Sequence, residues 1–185
     1  MKTIYIYILF IILAIAQVAV PTQMILHRES ILKTGKAYKF KTEPIDPADP
    51  FKGKYIFLNY DNERVKAQNE NWQRHQEVYI TIIEDSLGFA KPILASIDQP
   101  KTGPYVKAKV NYYSAHDKSL DFRYPFSEFY MNEHKAYDAE LAYRDSQRDS
   151  VPNNTYALVF VKNGEAVLDN VFINDIPIAT YVEKD

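Results

Sequence analysis

The sequence predicts a mainly β fold of the α+β class: an N-terminal transmembrane helix, then one mostly antiparallel β-rich domain with one main helix. Three observations carry this. Ile4 to Val20 is a run in which only Gln17 is frankly polar. From about residue 36 onward, β-forming residues alternate with polar ones between turn signals. A single long helical pattern follows Asn132. The chain therefore divides into an anchor, residues 1–27, and a β-rich domain, residues 28–185.

After Lys2 the next charged side chain is Arg28. A spanning helix needs about 20 largely apolar residues, and Ile4 to Leu26 provides 23, softened by Gln17, Pro21, Thr22 and Gln23. Eleven of the first seventeen are Ile, Leu, Phe or Val. At roughly −0.3 to −0.6 kcal/mol each near a helix centre, they favour insertion by about 3–6 kcal/mol. The expected localisation is the cell membrane, single-pass. A second reading is a cleaved signal peptide, with Ala14-Ile15-Ala16 as an A-x-A site near Ala16 and a secreted or periplasmic product. The apolar run continues past that site through Val18, Ala19 and Val20, which favours the anchor. Arg28, Lys33, Lys36, Lys39 and Lys41 follow the segment, and by the positive-inside rule alone they would hold the domain in the cytoplasm. That rule is weak for long domains, so the domain is expected to be extracytoplasmic.

Strands are expected at Lys36–Lys41, Tyr55–Tyr60, Glu77–Ile83, Ile93–Ile97, Tyr105–Tyr113 and Leu120–Tyr124. Tyr156–Val161 and Ala166–Ile173 form a hairpin across Asn163-Gly164, the pair that best suits a type I′ turn. Ile178–Val182 is expected to close the sheet. Glu63–Gln73 is polar and reads as a short helix or a loop. Asn132 is placed to cap a helix from Glu133 to about Gln147, with Ala136, Ala139, Leu141 and Tyr143 as its apolar side. Ser114–Ser119 reads as a turn and Asp149–Asn154 as a loop.

The 22 basic and 24 acidic residues give a net charge of −2, without the basic excess usual in nucleic-acid binding. The absence of Cys excludes disulfides, thiolate metal sites and thiol catalysis. Only 5 Gly leave little room for phosphate-cradling loops.

Pro44–Tyr60 reads PIDPADPFKGKYIFLNY. Pro47 and Pro50 push Asp46 and Asp49 away from helical backbone, and Asp side chains there form Asx-turns. The segment is thus a stiff, polar entry loop. Gly53 permits tight backbone at the strand start. In the strand, Tyr55, Phe57 and Asn59 share one face, and Ile56, Leu58 and Tyr60 the other. Apolar residues on both faces suggest a covered, central strand.

These residues resemble the signature of the GDYxxLxY-motif family, membrane-anchored bacterial proteins without an assigned activity. Gly53, Tyr55, Leu58 and Tyr60 match the motif, whereas Lys54 stands where the family has Asp. The apolar N-terminus, the Tyr124–Met131 stretch and the Val161–Pro177 hairpin also look like the family. The resemblance implies a membrane segment plus one extracytoplasmic domain, and a multi-pass membrane protein as partner. Lys54 reverses a charge and weighs against any role that requires the family Asp, such as cation binding.

Chemistry is sparse. His27, His75, His116 and His134 lie in four separate segments, none with paired-ligand spacing. Asp46 and Asp49 are two oxygen donors, too few to cage a hard cation. No nucleophile elbow, Walker loop or dinucleotide fingerprint is present. No metal and no cofactor are expected, and no catalytic residue is assigned. The motif residues Gly53, Lys54, Tyr55, Leu58 and Tyr60 are expected to be structural. The aromatic cluster around Tyr105, Tyr112, Tyr113, Phe122, Tyr124, Phe126, Phe129 and Tyr130 is expected mainly in the core, with a binding groove as the second reading. The basic stretch Arg28–Lys41 is read as a juxtamembrane stalk and first strand, able to contact anionic headgroups. The expected function is a non-enzymatic binding or accessory module, tethered to the bilayer through residues 4–26, for a multi-pass membrane protein. The alternative is an envelope enzyme such as a hydrolase, which a pocket gathering several of Asp46, Asp49, His75, His116 and Glu128 would favour.

Overall fold

The computed structural model of the protein describes residues 2–43, 55–67, 71–131, 133–148 and 154–183. Helix α1 spans Lys2–Thr34. It is long and apolar enough to cross a membrane. Its apolar side chains from Ile4 to Leu26 stay exposed, so the domain does not supply their cover. Pro21 lies inside the helix without ending it. Past the span, α1 runs on into the domain: Ile31 is buried, the His27 ring bonds the Glu165 carboxylate, and Lys162 donates to Thr34 Oγ1 at 2.7 Å. Gly35 ends the helix, donating its N–H to the Ile31 carbonyl at 2.7 Å. A Cβ there would lie 2.6 Å from that oxygen and 3.2 Å from the Val161 carbonyl, so only glycine lets helix and sheet approach this closely.

The remaining elements are β1 (Lys36–Glu43), β2 (Tyr55–Phe57), β3 (Asn59–Tyr60), β4 (Arg64–Lys66), β5 (Glu77–Glu84), β6 (Ala90–Ser96), β7 (Tyr105–Ser114), β8 (Ser119–Arg123), β9 (Glu128–Tyr130), α2 (Glu133–Arg148), β10 (Thr155–Lys162), β11 (Glu165–Ile173), β12 (Ile176–Pro177) and α3 (Ile178–Tyr181). One sheet has the order β12-β11-β10-β1-β3 and the other β4-β8-β7-β5-β6, while β2 and β9 form a two-stranded ribbon. All their strand pairs are antiparallel. Isolated parallel bridges join Lys39 to Phe89 and Val106 to Gly164, linking the sheets, and Ala67 to Ala95, drawing the edges of the second sheet together.

The expected alternation is visible in the burial. Tyr38 and Phe40 of β1, Val78, Ile80 and Ile82 of β5, Val106, Ala108 and Val110 of β7, and Ala157, Val159 and Val161 of β10 point into one shared core. Asn163 and Gly164 both hold left-handed backbone, at φ 51° and 82°, as the expected type I′ hairpin requires. Helix α2 buries Ala139, Tyr143 and Ser146, while Leu141 is only half-buried.

Three expectations are corrected. Tyr55–Tyr60 is not a central strand: β2 pairs with β9, and β3 pairs with the far end of β1 at a sheet edge. Leu58 is the joint between them, its N–H turned to the Ser127 carbonyl at 2.8 Å. Glu63–Gln73 holds the short strand β4, because Val65 is buried and Arg64 meets its cross-strand neighbour Asp121 with two hydrogen bonds, at 2.7 and 3.1 Å. Ile178–Val182 is a helical turn. Asn174 and Asp175 return the chain through left-handed backbone after Ile173, and Pro177 then removes the N–H that a longer ladder would need.

Candidate functional site

Two of the motif residues turn inward. Leu58 and Tyr60 are buried. The Tyr60 hydroxyl donates to the Phe126 carbonyl at 2.8 Å. Its ring packs edge-on against Phe40, Tyr124 and Phe126 at centroid distances of 6.0, 5.4 and 5.3 Å. Tyr55 contributes backbone to β2, opposite Tyr130. Gly53, Lys54 and the entry-loop residues Asp46, Pro47, Asp49 and Pro50 lie outside the described residues. The aromatic cluster sorts mostly into the core: Tyr105, Phe122, Tyr124 and Phe126 are buried, while Tyr112 and Tyr130 are exposed.

Beside this knot lies Glu63, half-buried between β3 and β4. Burial pushes its carboxyl up to about 7, reinforced by the Glu43 carboxylate and opposed by a backbone hydrogen bond at Tyr124 and by the Arg123 charge. The neighbouring Tyr124 hydroxyl is buried and has no hydrogen-bond partner among the described residues. Burial, then the Glu63 charge, hold its ionisation well above the usual phenol range. Nothing in the sequence marked Glu63, whose environment is made by residues far away in the chain.

A polar groove of about 1110 Å³ lies between the two sheets, at the domain end of α1. Lys107, Lys109 and Asn111 of β7 and Arg123 of β8 line one side. Glu77, Lys109 and Arg123 form one cross-strand row, since Lys109 pairs with both of the others. The β10–β11 hairpin lines another side from Gly164 to Asp169, Pro125–Tyr130 line a third, and His27 and Arg28 of α1, with Arg74 and His75, complete the lining. Two single-residue bulges, at Asn111 in β7 and at Asp169 in β11, fall on this lining. Bulges re-aim side chains and recur next to functional sites. Arg123 also stands 5.4 Å from the centre of the Phe57 ring, which ties the groove to the motif strand.

A family model for the GDYXXLXY protein matches residues 17–171 of this chain. The chain belongs to the GDYXXLXY family. Comparison with curated proteins and with solved structures found no match. In this family member, Lys54 replaces the motif's Asp.

Of the five residues several of which, gathered in one pocket, would favour an enzyme, the groove brings in His75 and Glu128. His116 sits on the exposed turn between β7 and β8, where the neighbouring Asp117 accepts from Ser114 and Ser119. Asp46 and Asp49 lie outside the described residues. Among the described residues, no three His, Asp or Glu side chains are placed to hold a metal ion. The groove was legible in the sequence only as scattered charge. Its assembly depends on the β5–β7–β8 register and on the placement of α1.

Proposed function

We propose that this protein is a membrane-tethered extracytoplasmic module that binds or supports a multi-pass membrane protein. The observation that carries this reading is the position of the polar groove. It opens beside His27 and Arg28, directly after the apolar stretch that ends at Leu26. A partner embedded in the same bilayer would meet this part of the domain first. The groove mixes charges of both signs with the rings of Phe129 and Tyr130 at its margin, a composition suited to a protein surface. Tethering both molecules in one membrane raises their effective concentration, so a modest contact suffices.

Site-specific photo-crosslinking in membranes tests the reading. A crosslinker at Asn111 or Ser127 should capture a multi-pass protein, and one at His116 on the β7–β8 turn should not. Equal capture from both positions, or from neither, would remove the support. Retention of the full chain in the membrane after alkaline washing tests the anchor. Protease digestion from outside intact cells, with any outer envelope opened, tests the side on which the domain lies.

A further inference from the structure

Most strand edges of this fold are blunted. β3 is two residues long, and β2 and β9 are three each. β12 carries Pro177, which has no N–H to offer. The Ala67–Ala95 bridge draws β4 and β6 together. Short strands, prolines and covered edges are the usual guards against pairing with another chain. β11 differs. It runs from Glu165 to Ile173 and pairs with β10 along its inner side, apart from the bulge at Asp169. On its outer side β12 reaches only Phe172 and Ile173.

The hairpin decides which backbone groups of β11 face outward. Lys162 and Glu165 flank the two-residue turn, so they exchange both hydrogen bonds. Antiparallel pairs then alternate. Ala166 and Leu168, opposite Val161 and Val159, aim their N–H and C=O groups away from β10. At one end of this stretch the Gly164 carbonyl accepts from the Lys107 N–H at 2.8 Å, and the isolated Val106–Gly164 bridge goes no further. At the other end, past the bulge, the Val171 N–H donates to the side-chain oxygen of Asn170 at 2.8 Å, which closes the edge. Between these ends, Ala166 and Leu168 have no backbone partner on the outer side among the described residues. Every residue from Gly164 to Asp169 lines the polar groove. A strand that meets a groove with one face does so through alternate residues. Consecutive lining residues mean that β11 meets this groove edge-on.

We propose that this edge is a docking site for an extended segment of a partner protein, which adds as a strand to β11 beside Ala166 and Leu168. The proposal deepens the binding-module reading and rests on it for the identity of the partner only. The form of the occupant follows from what is left unsatisfied. Two N–H and two C=O groups, at residues two apart, are matched by another extended backbone. The lining holds four carboxylates against five Lys and Arg side chains, so its charge is nearly balanced and backbone pairing does the selecting. A second folded copy fits poorly. Its own β11 edge lies in the same concavity, and two concave surfaces do not bring their edges to the roughly 4.8 Å of a strand pair. A loop or tail of a membrane-embedded protein supplies a segment one strand wide.

A phage-displayed library of random ten-residue peptides is selected against the full chain in detergent. The best binder is then synthesised unmodified, N-methylated at its odd positions, and N-methylated at its even positions. Each methylated form loses the donors along one edge of the peptide. One form should bind nearly as well as the unmodified peptide, and the other should lose about tenfold or more, as two missing hydrogen bonds imply. Ala166→Pro deletes an outward N–H and leaves the bonds to β10 in place, so it should weaken the unmodified peptide severalfold. Should that variant lose its melting transition, a photoreactive group on the unmodified peptide replaces it and should label β11. The proposal is overturned by a library without binders, by equal loss in both methylated forms or in neither, or by labelling away from β11. A full chain that dimerises in detergent, and whose dimer Ala166→Pro dissolves, gives the edge to a second copy and overturns it as well. One-sided loss on methylation together with failed capture from Asn111 in membranes would uphold the edge and refute the multi-pass partner.

Discussion

Replacing Glu63 by Gln should make the domain more stable at neutral and alkaline pH, and by an amount that depends on pH. The Glu63 carboxyl is raised in the fold from 4.5 to about 7, chiefly by burial. The native state therefore holds a proton that the unfolded chain has already lost between those two values. Stability from this group is complete below about 4.5, falls as pH rises toward about 7, and stays low above it. A rise of this size corresponds to about 3 kcal/mol as an upper bound. Glu63 is half-buried, and discounting for solvent screening leaves about 1–2 kcal/mol. Gln is neutral throughout and can still accept the backbone hydrogen bond at Tyr124. The assay is thermal melting of the full chain in detergent, parent against Glu63→Gln, from about pH 5 to about pH 8. The difference between the two should be small at the acid end and grow to roughly 3–6 °C in favour of the variant at the alkaline end. Comparing differences cancels the acid-side losses from Asp117 and Asp175, whose hydrogen bonds hold them below the usual carboxylate range. A gap that is constant across pH, or a variant less stable at the alkaline end, would refute the claim that burial charges Glu63 unfavourably.

The two buried tyrosines of the knot should respond oppositely to removal of a hydroxyl. Tyr60→Phe strips the bond to the Phe126 carbonyl and should cost about 1 kcal/mol or more. Tyr124→Phe removes a buried hydroxyl without a partner among the described residues and should be neutral or stabilising by about 1 kcal/mol. Matched melting curves decide, and a marked loss in Tyr124→Phe would reveal an unseen partner. Leu58→Ala empties a buried site at the joint of β2 and β3 and should cost about 2–5 kcal/mol. If its melt matches the parent while crosslinking to a partner disappears, the motif is a contact surface instead. Gly164→Ala should destabilise by more than about 1 kcal/mol. The residue holds φ 82°, and its new methyl would fall 2.4 Å from the Tyr105 ring. A parent-like melting temperature would show that the hairpin can shift.

How much of this was legible in the sequence depends on how local each cause is. The α1 run was plain because insertion energy adds up residue by residue along one segment. The strands β1, β5, β7, β10 and β11 were legible from period-two alternation, and the β10–β11 hairpin from Asn163-Gly164, since both signals lie within a few neighbours. The motif was also readable, and its family match followed from it. The misreadings share a different origin. β4 forms only because β8 offers Asp121 to Arg64 and a pocket for Val65, so a polar stretch became a strand. The Tyr55–Tyr60 run looked central because both its faces are apolar. In the fold it passes from a ribbon to a sheet edge at Leu58, and the knot of Phe40, Tyr124 and Phe126 covers it. Nothing local raises the Glu63 carboxyl: desolvation comes from elements that are distant in the chain. The groove, likewise, needed the register that sets Lys109 between Glu77 and Arg123, and the contact that seats α1 on β10 and β11. The stalk lysines looked free in the sequence, whereas the fold meets them with Glu84, Asp175 and Asp61. Propensity and periodicity belong to the chain itself, but burial, charge pairing and cavities belong to the assembled sheets.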